Sequence, residues 1–261
     1  MPAKVCLATF KLFCSDQDDP LYSSVSSISA TDAFSPPKAS ADGKFTSFVG
    51  YKWDSEEDVI MLGMAEMNFN QKYRGIKKPN PEPVDTVEKV QLLVDGVELT
   101  RRKILGKVME CYDTLGVLEP IKAKLKLDLK KLSGIDYDVG ISQELQELWS
   151  SNLCLLHRAK EITVHRCFIP EDALDHDDLE LFVFCDAAAL LCGTVIYCKT
   201  NCQGGMSKAR IITARSKSVS GTIPRNELEG ILLGAETLFT VLKVIGDRVS
   251  QYTILTDSEH S

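Results

Sequence analysis

The sequence predicts an α+β fold in which a helical unit is followed by a mixed sheet carrying one long helix. Three observations carry this. Between residues 100 and 156 apolar side chains recur at three- and four-residue steps. Between residues 181 and 215 short apolar runs alternate with turn residues. After Pro224 an unbroken helical stripe runs to Ile245, and a further strand follows.

Taken in order, residues 15–47 (SDQDDPLYSSVSSISATDAFSPPKASADGKFTS) are rich in Ser, Asp, Ala and Pro without periodicity, so segment 1–47 is expected to be poorly ordered. SFVGYKWDSEEDVIML predicts a hairpin, because aromatic and β-branched residues flank the acidic turn at Asp54–Asp58. Thr100 is a suitable N-cap for a helix bearing Ile104, Val108, Cys111, Tyr112 and Leu115. A second helix follows Pro120, with Ile121, Leu125, Leu129 and Leu132 on one face and Gly134 at its end. The third runs from Ser142 to Leu156 through Leu145, Leu148 and Trp149.

Beyond the acidic stretch EDALDHDDLE, segments Leu181–Asp186, Gly193–Lys199 and Ala209–Arg215 predict a three-stranded meander. Pro224 opens the strongest helix, with Leu228, Ile231, Leu232, Ala235, Leu238, Leu242 and Ile245 in register. Tyr252–Thr256 is the fourth strand. Three units are expected: 1–47, 48–168 and 178–261.

With 261 residues, 44% of them hydrophobic and 26% charged, the chain is of soluble globular type and long enough for two modest domains. No apolar run approaches a membrane span, and the opening MPAKVCLATFKLFC lacks a small-residue cleavage site, so no membrane partner is expected and the expected location is intracellular, cytoplasmic or nuclear. The nine cysteines are odd in number and several sit in apolar runs, which predicts reduced core thiols. Cys198 and Cys202 lack the second pair that structural zinc requires.

The net charge of −7 is unevenly spread. No acid occurs from Ala187 to Asn226, where Lys199, Lys208, Arg210, Arg215, Lys217 and Arg225 gather; a second basic stretch runs from Arg101 to Lys131. Such stripes either grip phosphates or are solvated faces.

Three acids stand in a suggestive order. Asp186 ends the first strand of the meander, Glu227 lies in the first turn of the long helix, and Asp257 ends the fourth strand. If the first and fourth strands are neighbours, the three carboxylates meet at one sheet end. Gly230 and Gly234 share roughly the face of Glu227 and allow a close approach of helix to sheet. Such a group suits Mg²⁺, which prefers oxygen ligands, and phosphodiester hydrolysis by two metal ions needs several converging carboxylates. The plainer alternatives are local turn bonds for Asp186 and Asp257, and a helix-dipole contact for Glu227.

From Phe48 onward the sequence resembles the polyprotein of BEL/Pao-type retrotransposons, in the part that runs from the end of the reverse transcriptase into ribonuclease H. FVGYKWDSEEDVIML looks like the family's "Leu-Gly-x-x-Trp" hairpin. LTRRKILGKVMECYDTLGVLEPIKAKLKL is similar to its thumb-like segment with a "Tyr-Asp-Pro-Leu-Gly" turn, Thr114 standing for the Pro. FCDAAALLCGTVIY resembles the first ribonuclease H strand with "Asp-Ala-Ser", ARSKSVSGTIPRNELEGILLGAE resembles "Ala-Lys-Ser…Ile-Pro-Arg-Leu-Glu-Leu", and LTDSEHS the start of "Ser-Asp-Ser". Ala189 replaces a small polar residue and Asn226 an apolar one.

The resemblance implies a helical thumb/connection-like module over 48–168 and a truncated ribonuclease H-like domain over 178–261. It implies Asp186, Glu227 and Asp257 as catalytic metal ligands, with Glu229 as the rival to Glu227. It further implies Mg²⁺ or Mn²⁺ as cofactor and an RNA–DNA hybrid as partner, contacted by Lys199, Lys208, Arg210, Arg215 and Lys217. The rest of a retroelement polyprotein is a second implied partner. In the family a fourth acid and its helix follow the point where this chain stops. The alternative expectation is therefore a retroelement remnant that binds nucleic acid or protein without catalysis. No Tyr-x-Asp-Asp polymerase motif occurs. The family region has also been labelled a peptidase, but Asp257-Ser258-Glu259 lacks the Gly of an aspartic peptidase.

Overall fold

The computed structural model describes residues 38–39, 45–48, 50–70, 72–73, 76–175 and 178–257. Within segment 1–47, residues 38–39 and 45–47 lie in strands; its other positions, Cys6 and Cys14 included, fall outside the described residues, as do His176 and Ser258–Ser261.

The first part of the chain builds an antiparallel sheet and a helical layer. Strands β1 (Lys38–Ala39), β2 (Phe45–Phe48), β3 (Tyr51–Asp54) and β4 (Val59–Leu62) are consecutive neighbours. β5 (Lys72–Tyr73) and β6 (Ile76–Lys77) form a separate ribbon, and β7 (Thr163–His165) closes the larger sheet beside β4. The expected hairpin is β3–β4. Its turn is held by side chains: the Asp54 carboxylate accepts the Glu56 N–H at 3.0 Å, and Asp58, at φ 46°, accepts from Trp53 Nε1 at 3.0 Å and Arg166 Nε at 2.6 Å.

Four helices follow: α1 (Val87–Asp95), α2 (Arg101–Met109), α3 (Glu119–Lys130) and α4 (Gln143–Arg158). Thr100 and Ser142 are the N-caps expected for α2 and α4, the Thr100 hydroxyl accepting the Lys103 N–H at 3.3 Å. α2 stops at Met109, before the Cys111, Tyr112 and Leu115 that continue its pattern. The reason is Asp113. Its buried carboxylate accepts the N–H groups of Val117 and Leu118, each at 3.0 Å, and the Tyr51 hydroxyl at 2.6 Å, which favours a turn over another helical one. Trp149, Leu153, Leu156, Leu125, Ile104 and Tyr51 share one core beneath these elements.

The second part is the mixed sheet. β8 (Leu179–Ala187), β9 (Leu191–Asn201) and β10 (Ser207–Ser218) form the expected antiparallel meander; α5 (Ile223–Ile245) crosses over, and β11 (Val249–Thr256) pairs parallel to β8. The order is β10-β9-β8-β11. On one face Leu181, Val183, Ile196 and Cys198 pack under Leu238 and Val241 of α5. Six of the seven described cysteines are buried; burial pushes the Cys198 thiol up to about 12, as befits an inert core thiol.

The two parts meet along β10. The Ala214 N–H and the Thr213 hydroxyl both donate to Leu115 O at 2.9 Å, so the turn after Asp113 covers an otherwise unpaired sheet edge. Gly116, at φ +75°, is required there, because a Cβ would overlap the Ala214 carbonyl oxygen. Lys126 of α3 reinforces the seam by donating to Ser216 O at 3.0 Å and pairing with Glu119. Among the described residues no helix is long and apolar enough to cross a membrane.

Candidate metal centre

Adjacency of β8 and β11 is what the carboxylate series needed. The parallel register sets Leu255 beside Phe184 and Thr256 beside Cys185, so both strands deliver their next acids, Asp186 and Asp257, to one sheet end. α5 brings the third. Its buried stripe of Asn226, Gly230, Gly234, Leu238 and Val241 lies on the sheet, and Glu227 projects from just beyond the first turn, since the helix already begins at Ile223 and its first turn holds no acid. Gly230 lets the helix lie against the Asp186 backbone, whose carbonyl oxygen would be 3.3 Å from an added Cβ. At Gly234 a Cβ would overlap Cys185 Sγ.

As a result Asp186, Glu227 and Asp257 each present a carboxylate oxygen within 4.8 Å of the others, two residues exposed and Glu227 half-buried. Among the described residues no hydrogen bond or ion pair engages any of the three carboxylates. Partial burial, then the charges of Asp257 and Asp186, push the Glu227 carboxyl above its ordinary range. Uncompensated anions in such proximity repel, and a hard divalent cation relieves the repulsion. The donor set, three carboxylates open to water, suits Mg²⁺ or Mn²⁺.

Glu229 is occupied elsewhere. It pairs with Lys217 at 2.7 Å, which holds its carboxyl below the ordinary range.

Asn226 has a role that sequence reasoning left as a mere departure. It is buried, accepts the Gly221 N–H at 3.0 Å through Oδ1, and donates through Nδ2 to Ala188 O at 3.0 Å and Ala189 O at 3.2 Å. It thereby ties the turn just after Asp186 to the helix start that carries Glu227. Its place on the apolar stripe, one turn before Gly230, was the available signal.

The five basic residues of the meander do not share one face. Lys208 and Arg210 oppose Thr200 and Cys198, while Arg215 and Lys217 oppose Thr194 and Cys192; all four partners are buried on the α5 side. Strand alternation alone would separate the two pairs. A bulge between Ile211 and Thr213 reverses the parity and aligns the four along the β10 edge. Lys199, opposite Glu180, stands on the other face and pairs with it at 3.0 Å. Lys208 pairs with Asp172 at 2.8 Å and Arg210 donates to Cys167 O at 2.8 Å, whereas no such bond holds Arg215 among the described residues.

The model of the Pao retrotransposon-like RNaseH-like domain matches residues 100–258. The chain belongs to this family. The resemblance drawn from the motifs is thereby confirmed, and the Pao domain's match spans the three acids and the whole mixed sheet. No curated protein matches the sequence. Among solved structures, that of the foamy viral protease-reverse transcriptase in complex with an RNA/DNA hybrid is similar at a TM-score of 0.39 and 10% identity, covering 82% of this chain and 24% of that one. The chain thus spans about a quarter of that polypeptide.

Proposed function

We propose that this Pao domain is a ribonuclease H-like nuclease that hydrolyses the RNA strand of RNA–DNA hybrids, with Asp186, Glu227 and Asp257 as its metal ligands. The observation that carries the reading is the convergence of three unpartnered carboxylates to within 4.8 Å at the end of adjacent strands. A bound Mg²⁺ would supply water activation and stabilisation of the leaving oxygen. The chain's own part is to hold the ligands: β8 and β11 fix the two aspartates, and Asn226 and the glycines of α5 hold Glu227 beside them.

The row of Lys208, Arg210, Arg215 and Lys217 on the α5 side of β10 is proposed as the hybrid-binding surface, with Lys199 as a contact on the opposite face. Exposed ion pairs such as Lys208–Asp172 and Lys217–Glu229 contribute little and exchange readily for phosphates. Selectivity for the hybrid would then come from helix shape and 2′-hydroxyls. The reading includes the division into a thumb/connection-like module at 48–168, whose sheet also takes in residues 38–39 and 45–47, and a ribonuclease H-like module at 178–261. It also includes association with the rest of a retroelement polyprotein.

The test is cleavage of a labelled hybrid with and without Mg²⁺. Asp186→Asn should lower the rate at least ~100-fold while leaving hybrid binding in place. Binding without cleavage by the wild-type chain would instead support a non-catalytic module, and equal cleavage by both proteins would reject the assigned ligands.

A further inference from the structure

The segment that joins the two parts of the chain crosses the basic row of β10 at its far end. Phe168 and Ile169 are buried in the core that α5 covers, and residues 172–174 run along the tip of the β9–β10 hairpin. There the Gln203 N–H donates to Asp172 O at 2.9 Å, the Leu174 N–H donates to Asn201 O at 2.8 Å, and Ala173 bridges to Cys202. The same segment engages two cations of the row. Both carboxylate oxygens of Asp172 accept from Lys208 Nζ, at 2.9 and 2.8 Å, and Cys167 O accepts from Arg210 Nη1 at 2.8 Å. Residues 187–226 contain no acid, so the anion at Lys208 comes from outside the meander.

We propose that Asp172 makes an autoinhibitory contact: its carboxylate holds Lys208 in the place of a nucleic-acid phosphate and lowers affinity for the hybrid, an inference that rests on the reading of the row as the hybrid-binding surface. A structural pin is the plainer role for the pair. The segment does not need one, because two backbone bonds and the buried Phe168 and Ile169 hold it already. With its side chains 43% and 37% exposed, the pair contributes little to stability and stays open to exchange. That exchange has a signature in salt. A phosphate that captures Lys208 releases a condensed counterion, but the abandoned Asp172 carboxylate recruits a cation from solution, and the two nearly cancel. Without that carboxylate the same contact releases one counterion net. The contact is also remote from the chemistry. Asp186 stands opposite Gly193 and Gly193 opposite Ser216, which places Lys208 about 23 Å along β10 from the carboxylates.

The test is binding by the full chain, followed through the fluorescence anisotropy of a labelled RNA–DNA hybrid in EDTA across roughly 50–200 mM monovalent salt. Asp172→Asn keeps the shape and the backbone bonds. It should bind about two- to fivefold more tightly at the low-salt end and steepen the slope of log affinity against log salt by about 0.9. Lys208→Gln should change little alone and remove the gain when combined with Asp172→Asn. Asp172→Ser should repeat the gain, and a melting curve that matches the wild type's shows that the fold is kept in each variant. Equal affinity and slope in the wild type and Asp172→Asn, weaker binding by the variant, or a gain that survives Lys208→Gln would each overturn the autoinhibitory contact while leaving the surface reading in place. Hybrid binding by neither protein would remove the surface reading and the contact with it.

Discussion

Asn226 is the residue on which the geometry of the carboxylate centre turns. Its side chain satisfies the Gly221 N–H before α5 and two carbonyls in the turn after Asp186, while its own N–H makes a helical bond to Thr222 O. Asn226→Leu restores an apolar side chain but strands those groups. It should cost about 1–3 kcal/mol in urea denaturation and weaken Mg²⁺ binding, with Asn226→Asp retaining part of the Gly221 bond. Asp128, near the C-terminal end of α3, offers a pH-dependent counterpart. Burial opposes its ionisation, but bonds from Lys131, Lys124 and Asn152 prevail and hold its carboxyl down at about 2. Because the folded value is depressed below the ordinary 3.8, the stabilisation is full above that value and disappears as pH falls towards 2. Asp128→Asn should therefore lose on the order of 2 kcal/mol at pH 6 and much less near pH 2, as followed by urea unfolding. The three acids of the centre were legible one by one in the sequence, because each ends a strand or opens a helix. Asn226 was legible only as an anomaly, since its partners are backbone groups that no side-chain pattern reveals.

At the level of elements, the seam between α3 and β10 depends on Gly116, whose positive φ and contact with Ala214 exclude a side chain. Gly116→Ala should destabilise the protein by more than ~2 kcal/mol and speed hydrogen exchange at Ala214, whose amide bonds Leu115. Unchanged exchange there would show that the seam is not held in this way. The long elements were legible: α5 and the meander strands have strong periods, and Pro224 marks a helix start. The end of α2 was not, because a tertiary bond network around Asp113 overrides a pattern that continues to Leu115. α1 was not anticipated, although Thr86 caps it and Val90 and Val94 stand four residues apart on its buried face. The bulge in β10 was likewise invisible, for an extra residue in one strand appears only against its partner.

For the whole molecule, two hydrophobic cores joined along one sheet edge present three clustered carboxylates whose mutual repulsion a bound cation would relieve. Adding Mg²⁺ should raise the melting temperature of the wild-type chain, as any ligand specific to the folded state does, and should leave Asp257→Asn unmoved. The sequence pattern reached as far as the meander, the fourth strand and the three acids. It did not reach the pairing of that fourth strand with the first or the partition of the basic residues between two faces, both of which arise from contacts between distant segments. The most direct test of the central claim is calorimetric titration of Mn²⁺ into the wild-type chain and into Asp186→Asn, Glu227→Gln and Asp257→Asn. Saturable binding by the wild type, weakened at least ~10-fold in every variant, is the predicted result; no binding by the wild type, or equal binding by all four proteins, would contradict it.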